Sequence, residues 1–149
     1  MKRKYYLAYG SNLNINQMLE RCPDAVKIGT SVIEDYRLTF RGNSRSGVAN
    51  VEREEGNRVP VGVWAVSESD EAALDRYEGW PWLYGKETLQ VKFDGRTIDA
   101  MIYIMRPGRP ITKPSAYYLN VIADGYDDFG FDKGPLLKAA ATAKKGAVA

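Results

Sequence analysis

Apolar and polar residues alternate along the chain with two periods, and the changes between them mark its elements. Tyr5 to Tyr9 is a continuous aromatic and apolar run, as in a short buried strand, and it stops at Gly10-Ser11-Asn12. Ile15, Met18, Leu19 and Cys22 then recur at the spacing of one helix face, and Pro23 ends the pattern. Over residues 27–42, Val32, Tyr36, Leu38 and Phe40 alternate with polar residues, which predicts a strand. A Gly/Ser-rich loop follows at 41–47. Residues 48–54 and 59–66 predict two more strands, separated by a turn at Glu55-Gly56-Asn57.

The second half repeats the alternation of elements. Residues 67–79 predict a helix in which Ser67 or Ser69 is the cap, acidic residues fill the first turn and Gly79 is the stop. Strands at 84–93 and 97–105 flank Asp94-Gly95, a hairpin signal. A Pro/Gly-rich crossing leads to Ser115, which caps a helix carrying Tyr118, Leu119, Ile122 and Tyr126 on one side. The Ala/Lys-rich end predicts a helix that frays. About six strands with three inserted helices make a mixed α+β domain over residues 1–130. Long strands returning on themselves predict a small, partly closed barrel. Residues 131–149 are expected as a tail.

Composition narrows the chemistry. With 149 residues, 44% of them hydrophobic and 27% charged, a single packed domain is expected. No apolar run approaches the ~20 residues of a membrane span, and the run behind Met1-Lys2-Arg3-Lys4 is too short for a signal peptide, so the expected location is cytoplasmic. The net charge of +2 does not point to a polyanion. Arg41, Arg45, Arg53 and Arg58 are interleaved with Glu52, Glu54 and Glu55, as on a solvated face rather than a nucleic-acid surface. Histidine is absent and Cys22 is the one cysteine, expected as a small buried apolar residue. Imidazole catalysis, His-activated nucleophiles and His-ligated zinc are thereby excluded. An acid or base must be a carboxylate, Lys, Tyr or Cys.

Three places carry candidate chemistry. Consecutive N–H groups at Gly10-Ser11-Asn12 can form a concavity for an anion, reinforced if Asn12 or Asn14 caps the next helix; the alternative is an ordinary strand-to-helix turn. The stretch lacks the Gly-Lys-Ser/Thr of a phosphate loop. Glu78 ends a helix beside Trp80, Pro81, Trp82 and Tyr84, where loss of water raises a carboxyl toward neutral pKa; the alternative is a solvated Glu paired with Arg76 or Lys86. Tyr118 follows a Pro-Ser helix start and can aim its hydroxyl into a pocket, with Tyr117 as its rival.

Together these stretches resemble the γ-glutamylcyclotransferase-like superfamily, the AIG2-like fold, from about Tyr5 to Gly125. "YLAYGSNL" resembles its opening motif, and "DYRLTF" followed by "GVANVE" its next two strands. "VPVGVWAVSESDEAALDRYEG" is similar to the strand and helix ending in its glutamate, "WLYGKETLQV" to the strand after it, and "PSAYY" to a later tyrosine motif. The resemblance implies that Glu78 is the acid–base catalyst. It implies that Tyr6, Leu7, Ala8, Tyr9, Gly10, Ser11 and Asn12 border the substrate, with Tyr84 and Tyr118 beside them. The Trp80-Pro81-Trp82 insert has no counterpart in it and is expected to shape the site for the leaving group.

The implied reaction is intramolecular. A γ-glutamyl compound closes on its own γ-carbonyl, releasing 5-oxoproline and an amine or amino acid, with no metal or cofactor. The leaving group stays open between Cys-Gly, a free amino acid, the ε-amine of lysine and a metabolite amine. The implied partner is this small substrate alone, with no nucleic acid and no membrane, in a monomer or weak homodimer. The alternative is a non-catalytic small-molecule-binding domain on the same fold.

Overall fold

The computed structural model describes residues 2–43 and 46–148, with side chains through residue 145; Arg45 lies outside the described residues. The elements are β1 (Arg3–Ala8), a 3-10 turn (Ser11–Leu13), α1 (Ile15–Arg21), β2 (Val26–Arg41), β3 (Val48–Ser67), α2 (Glu68–Glu78), β4 (Tyr84–Phe93), β5 (Arg96–Met105), α3 (Ala116–Phe129) and α4 (Gly134–Val148).

One five-stranded sheet has the order β2-β3-β1-β5-β4. β1 is its middle strand, antiparallel to β3 and parallel to β5. That position explains the unbroken aromatic and apolar run: Tyr6, Leu7 and Ala8 are all buried because both faces of the strand are covered. The sheet curls until its edges meet at one end, where Ser31 Oγ donates to the Lys92 carbonyl at 2.6 Å and Gly29 lies against the Phe93 ring. Among the described residues no ladder joins β2 to β4, so the barrel is partly closed.

The strand count differs from expectation at one place. Residues 48–67 form a single strand, paired with β2 along its length, and the turn expected at Glu55-Gly56-Asn57 is absent. Gly56 has positive φ, but it serves an irregularity in the ladder opposite Asp35, whose carboxylate accepts from the Gly56 N–H at 3.0 Å. A glycine in a long twisted hairpin meets the same local need as one in a turn. The Asp94-Gly95 hairpin forms as predicted, with both residues at positive φ.

The helices are bounded by the expected caps. Ser67 accepts from the Asp70 N–H and Asp70 returns the bond to the Ser67 N–H, a reciprocal box. Asn14 caps α1 and Ser115 caps α3. In α1, Met18 is buried and Cys22 follows it into the core, whereas Leu19 is exposed. The terminal segment forms α4, which buries Leu136, Ala139 and Ala143 at i, i+3 and i+7.

α3 is set directly on the turn after β1. A Cβ at Gly125 would stand 2.6 Å from the Asn14 nitrogen and the Leu13 carbonyl carbon, so the helix reaches this distance only with glycine there. Asn14 Nδ2 donates to the Val121 carbonyl at 3.1 Å, and the Ile15 N–H to Asp128 Oδ2 at 3.0 Å. Gly125→Ala is therefore expected to destabilise the protein by about 1–3 kcal/mol through overpacking, although alanine in an exposed helix would stabilise it. A thermal melt showing an unchanged or higher Tm would contradict the close seating of α3.

Candidate functional site

The aromatic run of β1 ends in a tight turn because it must fit beneath β3 and α3. A Cβ at Gly10 would lie 3.0 Å from Ala49 Cβ and 3.7 Å from the Tyr118 hydroxyl, so a bare backbone is needed for this approach. The Leu13 N–H donates to the Gly10 carbonyl and the Asn14 N–H to that of Ser11, both at 3.0 Å. These bonds leave the Ser11 and Asn12 N–H groups at the head of the turn, without partners inside it.

Asn12 anchors the turn rather than capping α1. Its carbonyl accepts from Trp64 Nε1 at 3.1 Å, its Nδ2 donates to the Tyr6 hydroxyl at 3.0 Å, and its Oδ1 accepts from Arg21 at 2.6 Å. Ser11 Oγ lies 2.7 Å from the Tyr77 hydroxyl.

Glu78 is the last residue of α2, and Gly79 behind it takes the left-handed conformation that ends a helix. Among the described residues no hydrogen-bond donor or ion pair reaches its carboxylate. Of the two alternative partners, Arg76 is exposed and forms no ion pair with it among the described residues, and Lys86 is engaged elsewhere, 2.7 Å from Glu71 and 3.0 Å from Asp75. Glu78 keeps partial contact with solvent through the cavity it faces, but protein surrounds the group closely. Burial pushes its carboxyl up to about 7, opposed by the field of Arg21.

The cavity holds about 250 Å³. Its floor is Tyr6, Tyr9, Gly10, Ser11 and Asn12; Val48, Ala49, Tyr77, Glu78, Leu83, Tyr84, Tyr103 and Tyr118 complete the walls. The phenols are fixed by the backbone and by one another's elements. Tyr84 donates to the Ala49 carbonyl at 2.5 Å, while the Ala49 N–H donates to Tyr118 at 3.0 Å. Tyr9 donates to the Tyr103 carbonyl at 2.7 Å, and Tyr103 donates to Asp75 at 2.6 Å. Burial raises the pKa of Tyr6, Tyr9, Tyr84, Tyr103 and Tyr118, so these walls stay uncharged at neutral pH.

Glu78, Tyr6, Tyr9, Gly10, Ser11, Asn12, Tyr84 and Tyr118 thus meet around one space. Leu7 and Ala8 do not line it; they are packed in the core on either side of β1. Tyr117 is exposed, so Tyr118 is the tyrosine that enters. Trp80 and Trp82 also lie outside the lining: Lys86 sits 4.2 Å over the Trp80 ring, and Trp82 is 82% exposed. From that loop it is Leu83 that reaches the cavity. Tyr77, Tyr103, Val48 and Ala49 escaped the sequence reading. Only Tyr77, beside Glu78, carried a local signal. Cys22 is fully buried and its thiol is pushed up to about 12, as expected of an inert core residue.

A larger cavity, about 360 Å³, opens between α4 and the β2–β3 hairpin. Arg37 on its wall is shared between Glu52 at 3.6 Å and Glu54 at 4.0 Å, and the cavity contains no desolvated acid or base comparable to Glu78. Among the described residues no helix is long and apolar enough to cross a membrane.

Comparison with known proteins identifies the family and the fold. The sequence profile of the family described as "Gamma-glutamyl cyclotransferase, AIG2-like" matches residues 6–123. A gamma-glutamylcyclotransferase of Bos taurus is 30% identical over 135 residues, covering 84% of this chain and 71% of the relative. The solved structure of a gamma-glutamyl cyclotransferase superposes with a TM-score of 0.78 at 25% identity, over 96% of this chain and 87% of the other. An uncharacterised protein from Homo sapiens superposes at 0.76 and 27% identity, over 97% and 88%. Fold, motif order and overall likeness converge, and the chain belongs to the gamma-glutamyl cyclotransferase, AIG2-like family.

Proposed function

We propose that the protein is a γ-glutamylcyclotransferase that converts a small γ-glutamyl compound to 5-oxoproline and a free amine or amino acid. The observation that carries this reading is that the Glu78 carboxyl, without a partner among the described residues, lines the same cavity of small-molecule size as the backbone turn.

In this reading the N–H groups of Ser11 and Asn12 bind the substrate α-carboxylate, and the cavity curls the γ-glutamyl chain so that its amine approaches its own γ-carbonyl. Holding the two reacting groups together removes most of the entropic barrier to ring closure. Glu78 takes a proton from the attacking ammonium. The nitrogen then bonds to the γ-carbon, and the same carboxyl returns a proton to the departing nitrogen. A carboxyl titrating near neutrality suits both steps, because neither its acid nor its base form is rare at pH 7. The phenols of Tyr84 and Tyr118 hold the Ala49 wall of the pocket in place. No covalent enzyme intermediate is required, which is consistent with a chain that lacks histidine.

Incubation with a panel of γ-glutamyl amino acids and γ-glutamyl amines is expected to release 5-oxoproline from at least one; binding without release across the panel would favour the non-catalytic alternative. Glu78→Gln is expected to abolish turnover in a folded protein, and activity above a few per cent of wild type would exclude Glu78 as the shuttle. On the substrate accepted, kcat/KM should rise with pH through about 7 as Glu78 becomes a base.

The same carboxyl sets a stability signature. Its pKa is ~4.3 in the unfolded chain and about 7 in the folded one, so wild-type stability falls as pH rises across that window. The loss is on the order of 3–4 kcal/mol. Glu78→Gln removes it, and denaturant melts should show the variant as the more stable protein at pH 8 but not at pH 4.

Gly10→Val places a side chain against Ala49 and Tyr118. A higher KM is expected, and an unchanged KM would reduce the turn to a structural role.

A further inference from the structure

We infer that Arg21 is the positioning residue of this site, clamping the turn after β1 and the Tyr77 wall of the cavity into one unit. Its catalytic consequence rests on the function proposed above; the clamp itself does not.

Arg21 closes the last turn of α1, where a cation is favoured by the helix dipole. Among the described residues its guanidinium makes three polar or cation–π contacts, none of them to a carboxylate. Nη1 donates to Asn12 Oδ1 at 2.6 Å, Nη2 donates to Gln17 Oε1 at 2.8 Å, and the group lies 3.6 Å over the Tyr77 ring. Tyr77 in turn bonds Ser11 at 2.7 Å. The contacts make a closed circuit: Arg21 to Asn12, along the backbone to Ser11, across to Tyr77, and back to Arg21. Three elements are joined by it, namely α1, the 3-10 turn and α2. Two members, Ser11 and Asn12, carry the N–H groups left without partners inside the turn, and Tyr77 immediately precedes Glu78.

A planar fork with a polarisable face is what this position requires. Arginine can hold an amide oxygen, a second amide oxygen and an aromatic face at once, whereas lysine supplies only a point charge. Tyr6 accepts from Asn12 Nδ2 and Trp64 donates to the Asn12 backbone carbonyl, so with Arg21 on Oδ1 both polar atoms of the side chain are engaged.

Arg21 also acts through space. The ionisable groups whose fields couple to Glu78 are Tyr6 on β1, Tyr9 just after it, Tyr84 on β4, Tyr103 on β5, Tyr118 on α3 and Arg21 on α1. Burial keeps those phenols neutral, so Arg21 is the charged member of the set. Among the described residues no acidic partner neutralises it.

The test compares Arg21→Gln and Arg21→Lys with wild type. Carbon NMR follows the titration of the Glu78 carboxyl, and the release of 5-oxoproline gives kcat and KM. Arg21→Gln should raise the Glu78 midpoint and lower kcat/KM by about tenfold to a hundredfold, the scale expected when reacting groups are misplaced. Arg21→Lys should hold the midpoint near the wild-type value while kcat/KM stays depressed, which separates the fork from the charge. A kcat/KM within about twofold of wild type in Arg21→Gln, or full recovery in Arg21→Lys, would overturn the clamp. So would an unmoved Glu78 midpoint in a folded Arg21→Gln variant. If the wild type releases no 5-oxoproline from any substrate, the proposed function fails, and the Glu78 titration in the two variants still decides for or against Arg21.

Discussion

One constraint governs this molecule: a carboxyl group must be kept out of bulk water and away from every cation that could neutralise it. A carboxylate beside a protein surface normally finds a lysine or arginine, and its pKa then falls. Here three cations of α1, β1 and β4 are held by other groups. Lys86 is held by Glu71 and Asp75, Lys4 by Glu71, and Arg21 by Asn12, Gln17 and the face of Tyr77. Glu71 and Asp75 lie on the same helix as Glu78, so α2 presents its own decoys to the lysines while its last residue turns into the cavity. The neutrality of the surrounding phenols follows from the same exclusion of water.

That carboxyl is useful only if something opposite it is equally well fixed. The turn after β1 meets this need through backbone packed without spare volume. Gly10 admits Ala49 and Tyr118, and Gly125 admits the turn against α3. Asn12 then engages both polar atoms of its side chain with neighbours, which holds the turn without using the Ser11 and Asn12 N–H groups inside it. β1, the middle strand, supplies the rigid base from which the turn projects. Placing the site at the end of a central strand and the start of a helix puts donor groups, low polarity and a rigid frame in one location.

Much of the frame was legible in the chain. The caps at Ser67 and Ser115, the Asp94-Gly95 hairpin and the helix stop at Gly79 each rest on a local requirement that few residues meet. The misread position shows where such signals end. Gly56 at positive φ suits a turn or a ladder irregularity equally, and its use was set by the pairing of β3 with β2 over their full lengths. Likewise, Leu7 and Ala8 share the motif with Tyr6 and Tyr9 but not the cavity, because burial on a two-sided central strand does not distinguish core from pocket.

The sequence alone determined the local conformations, the middle strand's apolar character and the restriction of acid–base chemistry to groups other than imidazole, since these depend on residue identity and near spacing. Tertiary structure decided which cations would be occupied, which tyrosines would face inward, and that Val48, Ala49 and Tyr103 would wall a space begun by residues some forty to ninety positions earlier. Glu78 is a single carboxylate among 19 acidic residues. Its raised pKa comes from burial without a partner among the described residues, and such burial exists only once the chain has packed.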